Sequence, residues 1–299
     1  MKEFRQRPWL ITGAGGYLGS MLMRMAAARG PVVGTIHQTA VDDSANRTLP
    51  PLDLCDREQA RRVLHAVAPT VIIHCAAMAD FNRCALDPAR ARAVNVQGAA
   101  NLAEGAADIG ARLIHLSTDL VFSGDRGQYT EQDVPDPQSE YGRTKYAAER
   151  VVQACCENAV IVRPALIFGS SPSGRSSFTE QILQRLKRGE TVPLFEDEYR
   201  TPVSLTTLCD QLLELALGDH RGVFHLGGPE RLSRFQFGRR LASALGLNNE
   251  LIIGGSYKDH VFADPRPADC SLRSIRVARD LSTAHPPLDE TLLALYGEG

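Results

Sequence analysis

The segment Thr12-Gly13-Ala14-Gly15-Gly16-Tyr17-Leu18-Gly19 constrains the fold of this chain more than any other. It follows a short apolar run, Trp9–Thr12, and opens a helical pattern over 18–29. Glycines at 13, 16 and 19 have the spacing of a strand-to-helix turn that carries a dinucleotide. Gly13 permits the tight turn, Gly16 lets the backbone approach a pyrophosphate, and Gly19 lets the helix pack closely. The amino end of the helix then faces the diphosphate charge. A glycine-rich turn without a ligand is the bland alternative, and the strand-to-helix context argues against it. Gly13, Gly16, Tyr17, Leu18 and Gly19 are therefore expected at a cofactor.

The rest of the first half repeats the alternation. Strand-like runs at 32–36, 71–75, 113–117 and 160–163 are separated by helical patterns at 57–67, 88–109 and 141–157. Such alternation predicts an α/β fold, a Rossmann-type doubly wound parallel sheet covered on both faces. Asp56-Arg57-Glu58-Gln59 reads as a capping box opening the 57–67 helix. The second half is more mixed, with helices over 178–188, 205–217, 235–245 and 288–296 and strands over 191–195, 223–226 and 251–253. No Pro- or Gly-rich linker divides the chain. The expected organisation is a nucleotide-binding unit over 1–164, to which 201–222 returns, and a small interleaved C-terminal substrate lobe over 165–200 and 223–299.

Composition excludes several function classes. A chain of 299 residues, 43% hydrophobic with net charge −2, can bury a core and has no basic excess for nucleic acid. No apolar run approaches the ~20 residues of a membrane span, so no membrane partner and a cytoplasmic location are expected. Seven cysteines, none in a Cys-x-x-Cys pair, suit reduced thiols, and no metal is expected.

Basic residues are almost all arginine: 29 of 33, leaving Lys2, Lys145, Lys187 and Lys258. Lys145 falls four residues after Tyr141, a spacing that chance gives roughly 0.1 times in such a chain. On a helix the two share a face. An ammonium beside a phenol is expected to lower the phenol pKa from about 10 and to make Tyr141 a general acid. Thr118, in Leu116-Ser117-Thr118-Asp119 at the end of the preceding strand, would orient a carbonyl oxygen beside it.

The cofactor's identity is read at the end of the second strand. An acidic residue there holds the ribose 2′-hydroxyl in NAD binders. Here Gly34-Thr35-Ile36-His37-Gln38-Thr39 has no carboxylate. NADP(H) is therefore favoured, with NAD(H) as the second candidate, and His37, Thr35 or Arg47 would meet the 2′-phosphate. Asp53, in Leu52-Asp53-Leu54, would accept a hydrogen bond from adenine.

Taken together, Gly13-x-x-Gly16-x-x-Gly19, Ser117-Thr118-Asp119, Tyr141-x-x-x-Lys145 and Arg163-Pro164-Ala165-Leu166-Ile167-Phe168-Gly169 resemble an extended short-chain dehydrogenase/reductase. The run 117–124, Tyr141-Gly142-Arg143-Thr144-Lys145, Val94-Asn95-Val96, Tyr199-Arg200-Thr201-Pro202, Phe224–Pro229 and Asp264-Pro265-Arg266-Pro267-Ala268-Asp269 are similar to the dTDP-4-dehydrorhamnose reductase group. They are similar also to the regulatory β subunit of methionine adenosyltransferase. The resemblance implies reduction of a 4-keto sugar nucleotide, with Tyr141 protonating the carbonyl oxygen and Lys145 binding the nicotinamide ribose. It implies that Leu54, Ala76, Ala77, Met78, Pro164 and Ile167 line the cofactor. Thr118, Asp119, Leu166, Arg200 and Arg266 would line the substrate, and the chain would form a homodimer. Small residues at Ala99, Ala100, Ala103, Ala106, Ala147 and Ala148 suit close helix packing in such a dimer.

Departures bear on the substrate. Asp119 is followed by Leu120 rather than the Glu of a 4,6-dehydratase, which argues against water elimination. Leu166 stands where the reductases carry Trp, and Asn82-Arg83 where they carry Asp-Lys. Arg273 stands where relatives often have Asp. A non-catalytic NADP-binding regulatory subunit and a sugar-nucleotide epimerase remain the competing readings.

Overall fold

In the computed structural model, residues 7–37, 47–48 and 51–297 are described, with 47–48 as backbone only. Arg47, Gln38 and Thr39 thus lie outside the described side chains. The chain begins β1 (Trp9–Thr12), α1 (Tyr17–Ala27), β2 (Val32–Thr35), β3 (Arg47–Thr48), α2 (Arg57–Val67) and β4 (Val71–His74). Next come α3 (Phe81–Leu86) and α4 (Pro88–Arg92), which passes through one wide turn, Ala93–Gln97, into α5 (Gly98–Asp108). Then follow β5 (Arg112–Leu116), α6 (Glu140–Cys155) and β6 (Ala159–Pro164). The sheet order is completed by a strand from the second half, Gly222–Leu226.

Both faces of this sheet are buried, which is why its strands read as continuous apolar runs. On one face Ile11, Ile73, Ile114, Val160 and Phe224 pack with Leu22 and Leu212. On the other Leu10, Ile72, Leu113 and Ile161 pack with Leu64, Leu102 and Val152. Successive residues of each strand go to opposite cores, the period-two rule of extended backbone.

The second half adds β7 (Ile167–Phe168), α7 (Phe178–Lys187), β8 (Val192–Phe195), β9 (Tyr199–Arg200), β10 (Val203–Ser204) and α8 (Leu205–Leu217). After these come β11 (Gly222–Leu226), β12 (Leu232–Ser233), α9 (Arg234–Ala244), β13 (Ile252–Gly255), α10 (Ile275–Asp280) and α11 (Leu288–Tyr296). The main sheet is seven-stranded in the order β11-β6-β5-β4-β1-β2-β3, every pair parallel. Its lateral direction reverses between β1 and β4, and a ligand cleft forms above such a reversal. Three two-stranded ladders, β7 with β10, β9 with β12 and β8 with β13, build the lobe around Phe168, Leu183, Phe237 and Leu241.

Three expectations are corrected here. Residues 223–226 do not start the lobe: β11 pairs with β6, and Phe224 and Leu226 enter the sheet's own core. The box at α2 is half-formed. Asp56 accepts from Gln59 N–H at 2.9 Å, but the Gln59 side chain turns to the Asp53 N–H, also at 2.9 Å. The small residues Ala99, Ala100, Ala103, Ala106 and Ala148 are buried in their own chain, where α5 meets α2 and α6, and of the six only Ala147 is half-buried rather than buried. Among the described residues no helix is long and apolar enough to cross a membrane, and no cluster of three or more His, Cys, Asp or Glu could hold a metal ion.

Candidate active site

The glycine turn is built by crowding. Gly13 has φ +68°, and a Cβ there would stand 2.8 Å from the Ala76 nitrogen on the neighbouring strand end. A Cβ on Gly19 would stand 2.2 Å from the Gly13 carbonyl oxygen. Only glycine allows the turn, β4 and α1 to approach this closely. At the amino end of α1, Gly16 supplies no side-chain cap and the first turn has no acidic residue. Its free N–H groups and dipole suit a diphosphate. Ala76 N–H bonds Thr12 Oγ1 at 3.2 Å, and Met78 is held through its N–H and carbonyl by Asn95. Gly13, Gly16, Gly19, Ala76, Ala77 and Met78 thus meet at the sheet's reversal point. Pro164 and Ile167 stand at the end of β6 and in β7.

Two expected cofactor residues face elsewhere. The Tyr17 hydroxyl donates to the Gly169 carbonyl at 2.6 Å, so its side chain fastens the 169–177 loop and only its backbone faces the turn. Leu54 is 7% exposed in the core, and its carbonyl is taken by Asn101 at 2.7 Å. Its side chain packs with apolar neighbours of the sheet's core. His37 and Asp53 do come together, with Nε2 3.8 Å from Oδ2. A carboxylate therefore stands beside the end of the second strand after all, supplied by 53 rather than by the strand itself.

The catalytic set forms where β5 delivers Thr118 to the start of α6. Ser139 caps α6 by accepting from Gly142 N–H at 3.1 Å. A Cβ on Gly142 would lie 2.2 Å from the Leu120 oxygen, so the helix sits directly on the 119–121 turn. Thr118 caps that turn, accepting from Leu120 N–H at 3.2 Å, donates to Asp119 Oδ1 at 3.2 Å, and lowers the pKa of the Tyr141 phenol. Lys145, one turn further, is 2% exposed.

The electrostatics differ from the expectation at Tyr141. Its phenol is pushed above the ordinary value, chiefly by burial and then by the Asp119 carboxylate, against a lowering by Thr118. No lowering by Lys145 offsets this, and burial brings the Lys145 ammonium itself down to about 8 despite the raising field of Glu149. A phenol held protonated is the state needed to donate a proton.

Behind the site lies a network that the sequence reading missed. Glu149, eight residues after Tyr141 on the same helix face, is 2% exposed. It accepts a fork from Arg163, Nε at 2.9 Å and Nη2 at 2.6 Å, and a bond from Ser117 Oγ at 2.5 Å. The i, i+4, i+8 spacing was its visible signal. This buried pair ties α6 to β5 and β6, the strands that end at Thr118 and Pro164.

Toward the lobe, Glu198 is fully buried and meets three arginines. Arg266 reaches it by Nε at 2.8 Å, Arg234 by Nη2 at 3.1 Å and Arg200 by Nη2 at 3.3 Å. Burial would raise its carboxyl, but Arg234, Arg200 and Arg266 outweigh that and hold it at about 2. Arg200 is 4% exposed and is spent on Asp119, Glu198 and the carbonyls of Tyr199, Pro267 and Ala268. Its guanidinium is thus occupied by protein partners rather than open to the cleft. Asp119 is raised by burial, offset by Arg200, and its Oδ2 has no hydrogen-bond partner. Arg266, with 26% of its side chain exposed, is the open member, and Arg234, at 17%, was not singled out in the sequence. Leu166 is half-buried at the same cleft, Asn82 and Arg83 are exposed on α3, and nothing in the structure explains Arg273.

A glycine turn after β1, with threonine at the end of β5 and tyrosine and lysine one turn apart on α6, marks an extended short-chain dehydrogenase/reductase fold. The chain belongs to the RmlD substrate binding domain family, whose profile matches residues 7–298. It is 32% identical to the probable low-salt glycan biosynthesis reductase of Haloferax volcanii, over 95% of this chain and 96% of that one. It is 30% identical to methionine adenosyltransferase 2 subunit beta of Rattus norvegicus, over 80% of this chain and 72% of that one. Among solved structures, a hypothetical dTDP-4-dehydrorhamnose reductase from Sulfolobus tokodaii superposes with a TM-score of 0.84 at 30% identity, covering 95% and 98% of the two chains.

Proposed function

We propose that this chain reduces a ketone on a nucleotide-linked sugar with NADPH, most directly a 4-keto-6-deoxy sugar nucleotide. The observation that carries the reading is the placement of Thr118 at the end of β5, beside the start of α6, whose one face carries Tyr141 and, a turn further on, the buried Lys145. The nicotinamide supplies the hydride. Tyr141 gives its phenolic proton to the carbonyl oxygen as that hydride arrives, and Thr118 donates to the same oxygen. Lys145 hydrogen-bonds the nicotinamide ribose and holds positive charge near the phenolate that forms. Arg266, with Arg234 behind it, faces the diphosphate, since a guanidinium matches phosphate oxygens in a two-point contact.

Family names supporting this reading include two reductases. The likeness to the methionine adenosyltransferase β subunit supports a second reading, an NADP-binding regulatory subunit. The buried and fully bonded support of the Tyr–Lys helix favours catalysis. A purely binding protein would not need Thr118, Tyr141 and Lys145 held together. A panel of ketones, including 4-keto-6-deoxy nucleotide sugars, followed at the nicotinamide absorbance tests it. Oxidation of NADPH by one panel member is expected. Tight NADPH binding with no member reduced would move the regulatory reading ahead.

A further inference from the structure

Arg266 sits on a loop that does more than present a guanidinium. At its start, Asp197 accepts from Ser256 Oγ at 2.5 Å and from Tyr257 N–H at 2.9 Å. At its end, Arg266 forks onto Glu198 and lies 5.2 Å from the Phe262 ring centroid and 6.0 Å from that of Phe81 on α3. Between these anchors the carboxylate of Asp264 accepts the N–H of Glu140. Glu140 is the first residue of α6, and Tyr141 is the second. The first N–H groups of a helix have no partner within it and must find one outside. Here the partner comes from the lobe, 124 residues away in sequence.

We propose that Asp264 is a positioning residue: from the substrate lobe it fixes the amino end of α6, so one loop both carries the substrate-facing Arg266 and sets the height of Tyr141. The inference rests on the reading of Tyr141 as the proton donor. Other constraints on the same turn of helix are local. Ser139 caps Gly142, and Gly142 rests on Leu120, both within the nucleotide-binding unit. Asp264 alone among these contacts ties that turn to the C-terminal lobe. A shift of about 1 Å in a reacting group costs on the order of a hundredfold in rate, so a strap at the residue before Tyr141 has leverage on turnover without touching substrate or cofactor.

The two ends of the strap can be cut separately. Asp264→Ala removes the acceptor, and Asp264→Asn keeps an acceptor oxygen. Glu140→Pro removes the donor at a first-turn position that proline favours, and Ser139, at φ −100° and ψ 155°, is in the region that proline allows its predecessor. In Asp264→Ala and Glu140→Pro, kcat should fall roughly tenfold or more, with NADPH affinity within about twofold of wild type. The double variant should be no worse than either single one, and Asp264→Asn should recover most of the loss. Independently of turnover, the amides of Gly142 and Arg143 should exchange at least roughly threefold faster in Asp264→Ala and not in Asp264→Asn. Unchanged exchange, additive losses, or a rise in KM at constant kcat would each overturn the strap. Should the wild type reduce no ketone, the reading of Tyr141 fails, and amide exchange still decides whether Asp264 holds the helix.

Discussion

Lys145 titrates at about 8 because its ammonium is nearly enclosed, a loss of hydration that Glu149 chiefly, with Cys75 and Cys84, only partly opposes. The folded pKa lies below the ordinary lysine value of 10.5. Between those values the unfolded chain keeps a proton that the folded chain has released, so this group adds to stability as pH rises through that window. Below about 8 the buried charge costs stability instead. Cofactor binding runs the other way, since ribose hydroxyls accept from the ammonium. NADPH affinity should weaken as pH rises through about 8, with proton uptake on binding near pH 9. Lys145→Met should be weaker throughout and flat with pH. A wild-type dissociation constant that stays level from about pH 7 to about 9.5 would refute the role. Tyr141 behaves oppositely to the simple i, i+4 expectation for a related reason: its neighbours desolvate it and Asp119 adds a like charge. Spacing reveals that two groups can meet; it does not reveal how much water each loses.

At the scale of elements, what was legible in the sequence was whatever a strand or helix states by itself. The strand-to-helix glycine turn, the apolar strands and the helix that carries Tyr141 and Lys145 lie where the sequence places them, because period and local crowding determine them. What was not legible came from elements meeting. Glu149 and Arg163 find each other between α6 and β6, Glu198 gathers arginines from β9, α9 and the 256–266 loop, and Tyr17 leaves the turn for Gly169. Two predictions belong here. Gly142→Ala places a methyl against the Leu120 oxygen, where 2.2 Å is available. The helix must lift, parting Tyr141 from Thr118. Turnover should therefore drop by roughly tenfold or more while the melting temperature falls only a few degrees. Unaltered turnover would show that the contact does not set the geometry. At the end of β2, the absence of a strand-borne carboxylate favours NADPH, but Asp53 beside His37 limits the margin. Titration of both reduced cofactors should show NADPH tighter by a modest factor. Tighter NADH binding would assign Asp53 to the ribose clamp.

The whole molecule is a parallel sheet with a lobe threaded through its second half, and the chain crosses between them several times. β11 shows why sequence boundaries miss this: an edge strand returning after the lobe's first elements looks like the lobe's own. Association is the remaining global property. Five of the six alanines that suggested a dimer are buried inside the monomer and Ala147 is half-buried, so the expected homodimer rests on the family resemblance. Light scattering at micromolar concentration should give twice the chain mass of 32.6 kDa. A mass of one chain would remove the dimer without touching the site.

The central claim is that Tyr141 delivers the proton in a carbonyl reduction. Steady-state turnover of Tyr141→Phe, measured with the reducible ketone and alongside direct NADPH binding, tests it most directly. The ring's packing is kept and only the hydroxyl is lost. The account predicts a fall in kcat of roughly 10²–10⁴, the usual worth of a positioned acid, with NADPH affinity nearly unchanged. A variant that binds NADPH and turns over at the wild-type rate would contradict it.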